Sequence, residues 1–366
     1  MILSPDEEAV LAGEEGETRA RMLEILVALG KVYGAERLIP IVSAQVSGAS
    51  YKTIGRWGLD WLQRLDARVS VPTVLNPVGM DRSRWREMGI TPEFARVQEK
   101  VLDAYRRLGV TMECTCTPYY LYMTRYGDHL AWSESSAVAY ANSVIGARTN
   151  REGGPSALAA AIIGKTPEYG LHLVAARAPQ VVIRVEEGER LTDAAHLGAL
   201  GYLAGRLVGS RIPLFEGIRP KAASGAVALF HVKGITPEAR IFSYPTGGLE
   251  VISLGFDEVS AAMQEIPVDA VALGCPHCSR DELSRIAELL AGKKVRIPVF
   301  VFAARDVLSR HPEEVAAIEE SGAHVFADTC MVVSPAMERF SAIMVNSGKA
   351  YAYIPNVCGA AVRLGT

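Results

Sequence analysis

The chain has 366 residues, 49% of them apolar and 22% charged, with a formal net charge of −3. That length exceeds one ordinary core and predicts two or three lobes of a packed globular protein. Scattered Lys and Arg give no electrostatic case for nucleic acid, no apolar stretch nears the roughly 20 residues of a membrane helix, and the acidic start lacks the order of a signal peptide, so a cytoplasmic protein with no membrane or nucleic-acid partner is expected.

In chain order, residues 4–33 read as a helix. Ser4-Pro5-Asp6-Glu7 supplies a capping Ser, Pro in the first turn and carboxylates at the positive end, and Met22, Ile25, Leu26 and Leu29 keep helical spacing. Residues 37–44 form an apolar run of strand length that enters the small-residue loop Gln45-Val46-Ser47-Gly48-Ala49-Ser50-Tyr51, followed by a helix containing Trp57 and Trp61. A strand over 69–75 ends in Asn76-Pro77-Val78-Gly79-Met80-Asp81. A helix over 92–108 precedes a strand over 110–114, which runs into Thr115-Cys116-Thr117-Pro118-Tyr119-Tyr120. Residues 127–170 are dense in Ser, Asn, Gly, Arg and Thr, the composition of a site loop in an otherwise apolar chain.

In the last third, strands over 268–274, 295–303 and 323–327 alternate with helices over 279–291 and 312–321. That alternation predicts an α/β fold with parallel sheets and right-handed crossovers. The expected division is 1–240 as N-terminal α/β lobes with substrate-binding loops, 241–345 as a βαβ lobe, and 346–366 as a segment returning to the site. Ligands of such sheets gather at the carboxyl ends of the strands. Cys116, Cys275 and Cys330 each follow a predicted strand, so three cysteines far apart in sequence are expected to converge.

The six cysteines are too sparse for a disulfide scaffold and read as core residues, metal ligands or nucleophiles. The C-x-x-C in Gly274-Cys275-Pro276-His277-Cys278-Ser279 alone fits a redox pair, half a zinc site or a cluster site. No second pair completes a structural zinc site. Three thiolates with an open fourth position suit an iron–sulfur cluster. An iron without a Cys ligand can polarise a hydroxyl or carboxylate, the help that loss of water from a hydroxy acid needs. Cys114 alternates with Met112 and is expected to face away from Cys116, and Cys358 reads as core.

Glu134-Ser135-Ser136 and the run from Asn142 to Gly154 concentrate hydrogen-bonding groups. Arg148 offers a fork for carboxylate or phosphate, Asn150 a donor for a substrate oxygen, and Gly153 and Gly154 close backbone approach. Arg151 reads instead as part of a polar cap on the following helix, because adjacent side chains diverge. Asn346-Ser347-Gly348-Lys349 is similar to an anion-binding turn without the upstream glycines of a P-loop, so Lys349 is either a substrate cation or an ordinary surface residue. His231 reads as structural.

Taken together, Val46–Tyr51, Cys116–Tyr120, Trp132–Ser136, Gly146–Glu152, Gly274–His277, Asp328-Thr329-Cys330 and Asn346–Lys349 resemble the aconitase X family, in order and over nearly the whole chain. The resemblance implies an aconitase-like core of several α/β lobes around an iron–sulfur cluster, taken as [4Fe-4S]. It implies Cys116, Cys275 and Cys330 as ligands, with Cys278 as the rival ligand. It further implies Ser47, Gly48, Ser50, Asn76, Arg148, Thr149, Asn150, Ser347 and Lys349 at the substrate, and Glu134, Ser135 or Glu152 in proton transfer. Two dehydrations belong to the family, of cis-3-hydroxy-L-proline and of 5-phosphomevalonate. With no room for a fused small domain after residue 366, the chain resembles the archaeal two-subunit form, so a heterodimer with a small subunit and a phosphorylated hydroxy-acid substrate are expected. A non-catalytic iron-sensing or RNA-binding relative, and a zinc or thiol enzyme using Cys275 and Cys278, are the competing classes.

Overall fold

A computed structural model describes residues 1–218 and 227–365. The N-terminal segment is two helices, Pro5–Leu11 and Glu17–Val32, instead of the single expected one. The break is physical: Gly13 and Gly16 take φ of 92° and 94°, a region that leaves the helix and favours glycine. The first helix starts as expected, with Ser4 and Glu7 in a reciprocal capping box.

Three parallel sheets follow one another along the chain. The first runs in the order Thr111–Cys114, Thr73–Leu75, Ala44–Val46, Ala131–Trp132. A separate antiparallel pair joins Leu38–Pro40 to Lys165–Pro167. The second sheet runs Glu250–Leu254, Val181–Val185, Pro213–Glu216, His231–Val232. The third runs His324–Phe326, Val299–Ala303, Ala270–Cys278, Ala342–Val345, Ala361–Leu364. The expected divisions at 240 and 345 do not follow these sheets. Glu250–Leu254 pairs with Val181–Val185, and the C-terminal segment supplies an edge strand of the third sheet, beyond the helix Gly348–Val357.

Buried polar side chains fasten the loops that leave these strands. Gln98, on the helix Pro92–Arg107, accepts from the backbone N–H groups of Tyr51 (3.0 Å) and Gly79 (3.2 Å) and donates to the Ala49 carbonyl (2.8 Å). Arg177 is 1% exposed. Its guanidinium pairs with Glu238 at 2.6 Å and donates to the carbonyls of Leu171, Asn142 and Ala147. Five donors in one rigid fork can anchor several segments at once, and here they hold the Gly146–Glu152 run from behind. His231 is structural as expected, its Nε2 sitting 2.8 Å from the Arg177 carbonyl.

His172 is also buried, with its Nδ1 3.0 Å from that of His129. Burial, then repulsion from His129, Arg177 and Arg148, draws its pKa down to about 3. An unfolded His takes its proton near 6.5, so the unfolded chain binds more protons than the native one below that pH. The stabilisation is therefore complete above about 6.5 and lost as pH falls toward 3. Between pH 6.5 and 5 this residue is expected to withdraw about 2 kcal/mol. Urea unfolding at pH 7 and pH 5 should show a smaller acid-induced loss in His172→Gln than in the parent chain; equal losses would assign the acid sensitivity elsewhere.

Candidate active site

The three expected ligands reach one cavity of about 410 Å³, each carried by a different turn. Cys116 lies just past the strand Thr111–Cys114. Cys275 sits where the strand Ala270–Cys278 loses register with Val299–Ala303, between Leu273 and Cys278. Gly274 makes that bulge feasible: its φ is 100°, and a Cβ there would lie 2.1 Å from the Phe302 carbonyl oxygen. Cys330 follows Asp328, a non-glycine residue at φ 63°. Asp328 is fully buried and gripped by Arg82 at 3.0 Å and by Arg305, which also bonds Asp81 at 3.1 Å. An Asp tolerates the left-handed conformation better than most residues, and the two guanidiniums fix it there.

The cysteine turns are hydrogen-bonded to one another. The backbone N–H of His277 points at Cys116 Sγ (3.0 Å), its Nδ1 meets Thr115 Oγ1 (3.1 Å), and its Nε2 meets the Thr329 carbonyl (2.8 Å). Gln45 donates to the Thr115 carbonyl at 2.7 Å and accepts from the Glu134 N–H at 3.4 Å. Burial keeps the His277 ring neutral, its pKa lowered to about 4.

The same cavity holds Asn76, Glu134, Ser135, Glu152 and Lys349. Glu134 caps the helix Ser135–Tyr140, accepts from the Asn76 amide at 2.8 Å and pairs with Lys349. Burial lowers the Lys349 ammonium to about 8, with the Cys116 sulfur acting in the opposite sense; beside a carboxylate it stays charged at neutral pH. Glu152 behaves differently. Burial raises its pKa, and Ser156 donates to it at 2.5 Å. Among the described residues the buried Asn76 Oδ1 has no hydrogen-bond partner, which leaves an acceptor for a further polar group in the cavity.

Other expected residues lie elsewhere. Cys278 packs with Leu283, Val301 and Ile318 in the third-lobe core and does not line the cavity. Asn150 is occupied by the backbone, donating to the Tyr169 carbonyl at 3.0 Å and accepting from the Leu171 N–H at 2.9 Å. Thr149 is fully buried between Trp132 and Asn150. Arg148 turns to the His172 carbonyl at 3.5 Å. The Ser47 carbonyl lies under Gly154, where a Cβ would come within 2.5 Å of it. The Gly48 carbonyl accepts from the Tyr105 hydroxyl at 3.5 Å. Ser50 donates to the Val333 carbonyl at 3.3 Å, behind the cavity wall. Ser347 caps the helix Gly348–Val357 and lines a neighbouring cleft that shares Cys275. Arg151, expected only as a cap, lines the cavity beside Glu152. Volume alone does not mark the site: the cleft containing Trp57 and Trp61 is larger, about 600 Å³, and contains no cysteine.

The cysteine set fits a cluster. Burial pushes the Cys116 thiol up to about 12 and raises Cys275 and Cys330, with mutual repulsion adding to the shift at Cys116 and Cys275. Bound iron would relieve that cost, because a coordinating thiol gives up its proton to the metal. Among the described residues no three His, Cys, Asp or Glu side chains are close enough to hold a single ion. Cluster ligands bind separate irons, which needs wider spacing.

Models of the first, second and third domains of aconitase X match residues 1–175, 179–264 and 268–366, one for each sheet. The chain belongs to the aconitase X family. It is 52% identical to the phosphomevalonate dehydratase large subunit of Methanosarcina mazei, over 98% of this chain and 94% of that protein. It is 33% identical to the cis-3-hydroxy-L-proline dehydratase of Pseudomonas aeruginosa, over 98% of this chain and 67% of that protein. The crystal structure of Thermococcus kodakaraensis aconitase X in its holo-form aligns with a TM-score of 0.92 at 42% identity, covering 100% of this chain and 98% of that one.

Asp328→Asn keeps the left-handed turn but leaves Arg82 and Arg305 without their buried carboxylate. Urea unfolding should show a loss of about 3 kcal/mol; an unchanged midpoint would mean that the arginines do not hold the Cys330 turn.

Proposed function

We propose that this chain is the large subunit of a phosphomevalonate dehydratase. Working with a small subunit, it would convert (R)-5-phosphomevalonate to trans-anhydromevalonate 5-phosphate in an archaeal mevalonate pathway. The observation that carries the reading is the convergence of Cys116, Cys275 and Cys330 on a cavity that also contains Arg151, Lys349 and two unlike carboxyl groups. The name of the M. mazei relative, including its description as a large subunit, supports both the substrate and the partner. The lower identity to the hydroxyproline enzyme makes that substrate the second choice.

An iron–sulfur cluster, taken as [4Fe-4S], would be held by the three thiolates and would supply a Lewis-acidic iron for the substrate hydroxyl and carboxylate. The remaining work falls to side chains. Lys349 and Arg151 receive the anionic groups of the substrate, and their two cations suit a phosphorylated acid better than an amino acid. Glu134 pairs with Lys349 and accepts from Asn76, and is the carboxylate that this chain offers as acceptor for the proton alpha to the substrate carboxylate. Glu152, whose pKa burial raises, is the carboxyl that this chain offers to protonate the departing hydroxide, which leaves as water. Ser135 donates to Glu134 at 3.3 Å and keeps its carboxylate turned to the cavity. A carboxylate paired with an ammonium and a second carboxyl whose pKa burial raises make a natural base and acid.

The test is anaerobic. The chain is reconstituted with iron and sulfide, mixed with the candidate small subunit and assayed on 5-phosphomevalonate beside cis-3-hydroxy-L-proline. Turnover of the phosphorylated acid alone is expected; turnover of the proline alone would overturn the substrate. Ser at Cys116, Cys275 or Cys330 should abolish or cripple iron retention, whereas Cys278→Ser should retain it. Glu134→Gln and Glu152→Gln should each keep the cluster and lower kcat by about 100-fold or more. Undiminished kcat in either variant removes that residue from the proton path.

A further inference from the structure

His277 lies between two of the expected cluster ligands in sequence and binds neither the cavity nor a carboxylate. It is 2% exposed; its backbone N–H and Nδ1 meet the Cys116 turn and its Nε2 meets the Cys330 turn. Nε2 faces the carbonyl of Thr329, which can only accept, so Nε2 carries the proton. Nδ1, on the other side of the ring, lies 3.1 Å from the Thr115 hydroxyl, which can donate to it. Thr115 Oγ1 in turn accepts from the Thr117 N–H at 3.1 Å and lies 2.9 Å from the Thr117 hydroxyl. The chain of hydrogen bonds therefore has one direction, from Thr117 through Thr115 and His277 to Thr329. Its two ends flank Cys116 and Cys330, while Cys275 is only two residues from the ring.

We infer that His277 is the positioning residue that sets the spacing of the three cluster thiolates, fixed as the Nε2–H tautomer and aiming its own backbone N–H at the Cys116 sulfur. The inference rests on the cluster reading above. Metal-bound side chains depend in general on such outer hydrogen bonds for orientation, and hydrogen bonds to cluster sulfurs are among the factors that set reduction potential. A ring buried merely to fill the core would have no need to link Thr115 to Thr329. A neutral imidazole does so because it offers one donor and one acceptor on opposite sides of a rigid plane.

Two substitutions divide the role. In His277→Gln the amide takes the place of Nε2 and keeps the Thr329 bond while losing the one to Thr115. In His277→Asn the amide takes the place of Nδ1 and keeps Thr115 while losing Thr329. The apo chain is alkylated with iodoacetamide and the six cysteines are followed separately by mass spectrometry. Losing one buried hydrogen bond should make local opening about tenfold more frequent. The Gln variant is expected to raise alkylation at Cys116, and the Asn variant at Cys330, with Cys114, Cys278 and Cys358 unchanged in both. After anaerobic reconstitution both variants should surrender iron to a chelator about tenfold faster than the parent. A uniform rise at all six cysteines would make His277 an ordinary core residue and overturn the inference. So would parental alkylation and iron loss in both variants. Failure of the parent chain to take up iron and sulfide is a separate outcome, and counts against the cluster itself.

Discussion

The architecture depends on keeping three buried thiols together at one cavity. Cys116, Cys275 and Cys330 are all buried, and burial alone pushes each toward its protonated form. Thiols arranged this way gain nothing for the fold unless something takes their protons and their charge. The surrounding structure works to hold the arrangement: a glycine bulge at Gly274, a left-handed Asp328 clamped by two arginines, and an imidazole spanning two turns.

The parallel sheets explain why such distant residues can meet. Each strand delivers its carboxyl end to the same side, so a residue just past one strand end lies close to residues past another. The first lobe contributes Cys116, Asn76 and the Glu134 cap; the third contributes Cys275, Cys330 and Lys349. Buried side chains then carry the fine positioning. Gln45 ties the Cys116 turn to Glu134, and Gln98 secures the loops on either side of Asn76 to a helix. Charge is distributed accordingly: Lys349 pairs with Glu134, while Glu152 accepts from the Ser156 hydroxyl.

Much of this was legible in the sequence, for reasons that are local. The alternation of strand and helix in the last third is a period signal, and the structure reproduces it within a few residues at most ends. The convergence of three cysteines followed from the strand-end rule. The different placing of Cys278 did not, because a Cys-x-x-C spacing does not show which cysteine lines the cavity and which packs in the third-lobe core. The middle sheet left no clear signal, and strands as short as Ala131–Trp132 are too brief to show a period. The sequence does not show that Arg148 lies against the His172 carbonyl while Arg151 lines the cavity. Gln45 and His277 went unnoticed for a related reason: their roles consist of contacts across 70 and 162 residues of chain, which no spacing rule can express.

The central claim is that the three thiolates hold a cluster with one iron left open to substrate. The most direct measurement is a Mössbauer spectrum of the chain reconstituted anaerobically with iron-57 and its small subunit, recorded with and without 5-phosphomevalonate. The account predicts one iron subsite whose signal shifts when substrate is added while the remaining irons hold still. A spectrum of iron that substrate leaves wholly unmoved would contradict it.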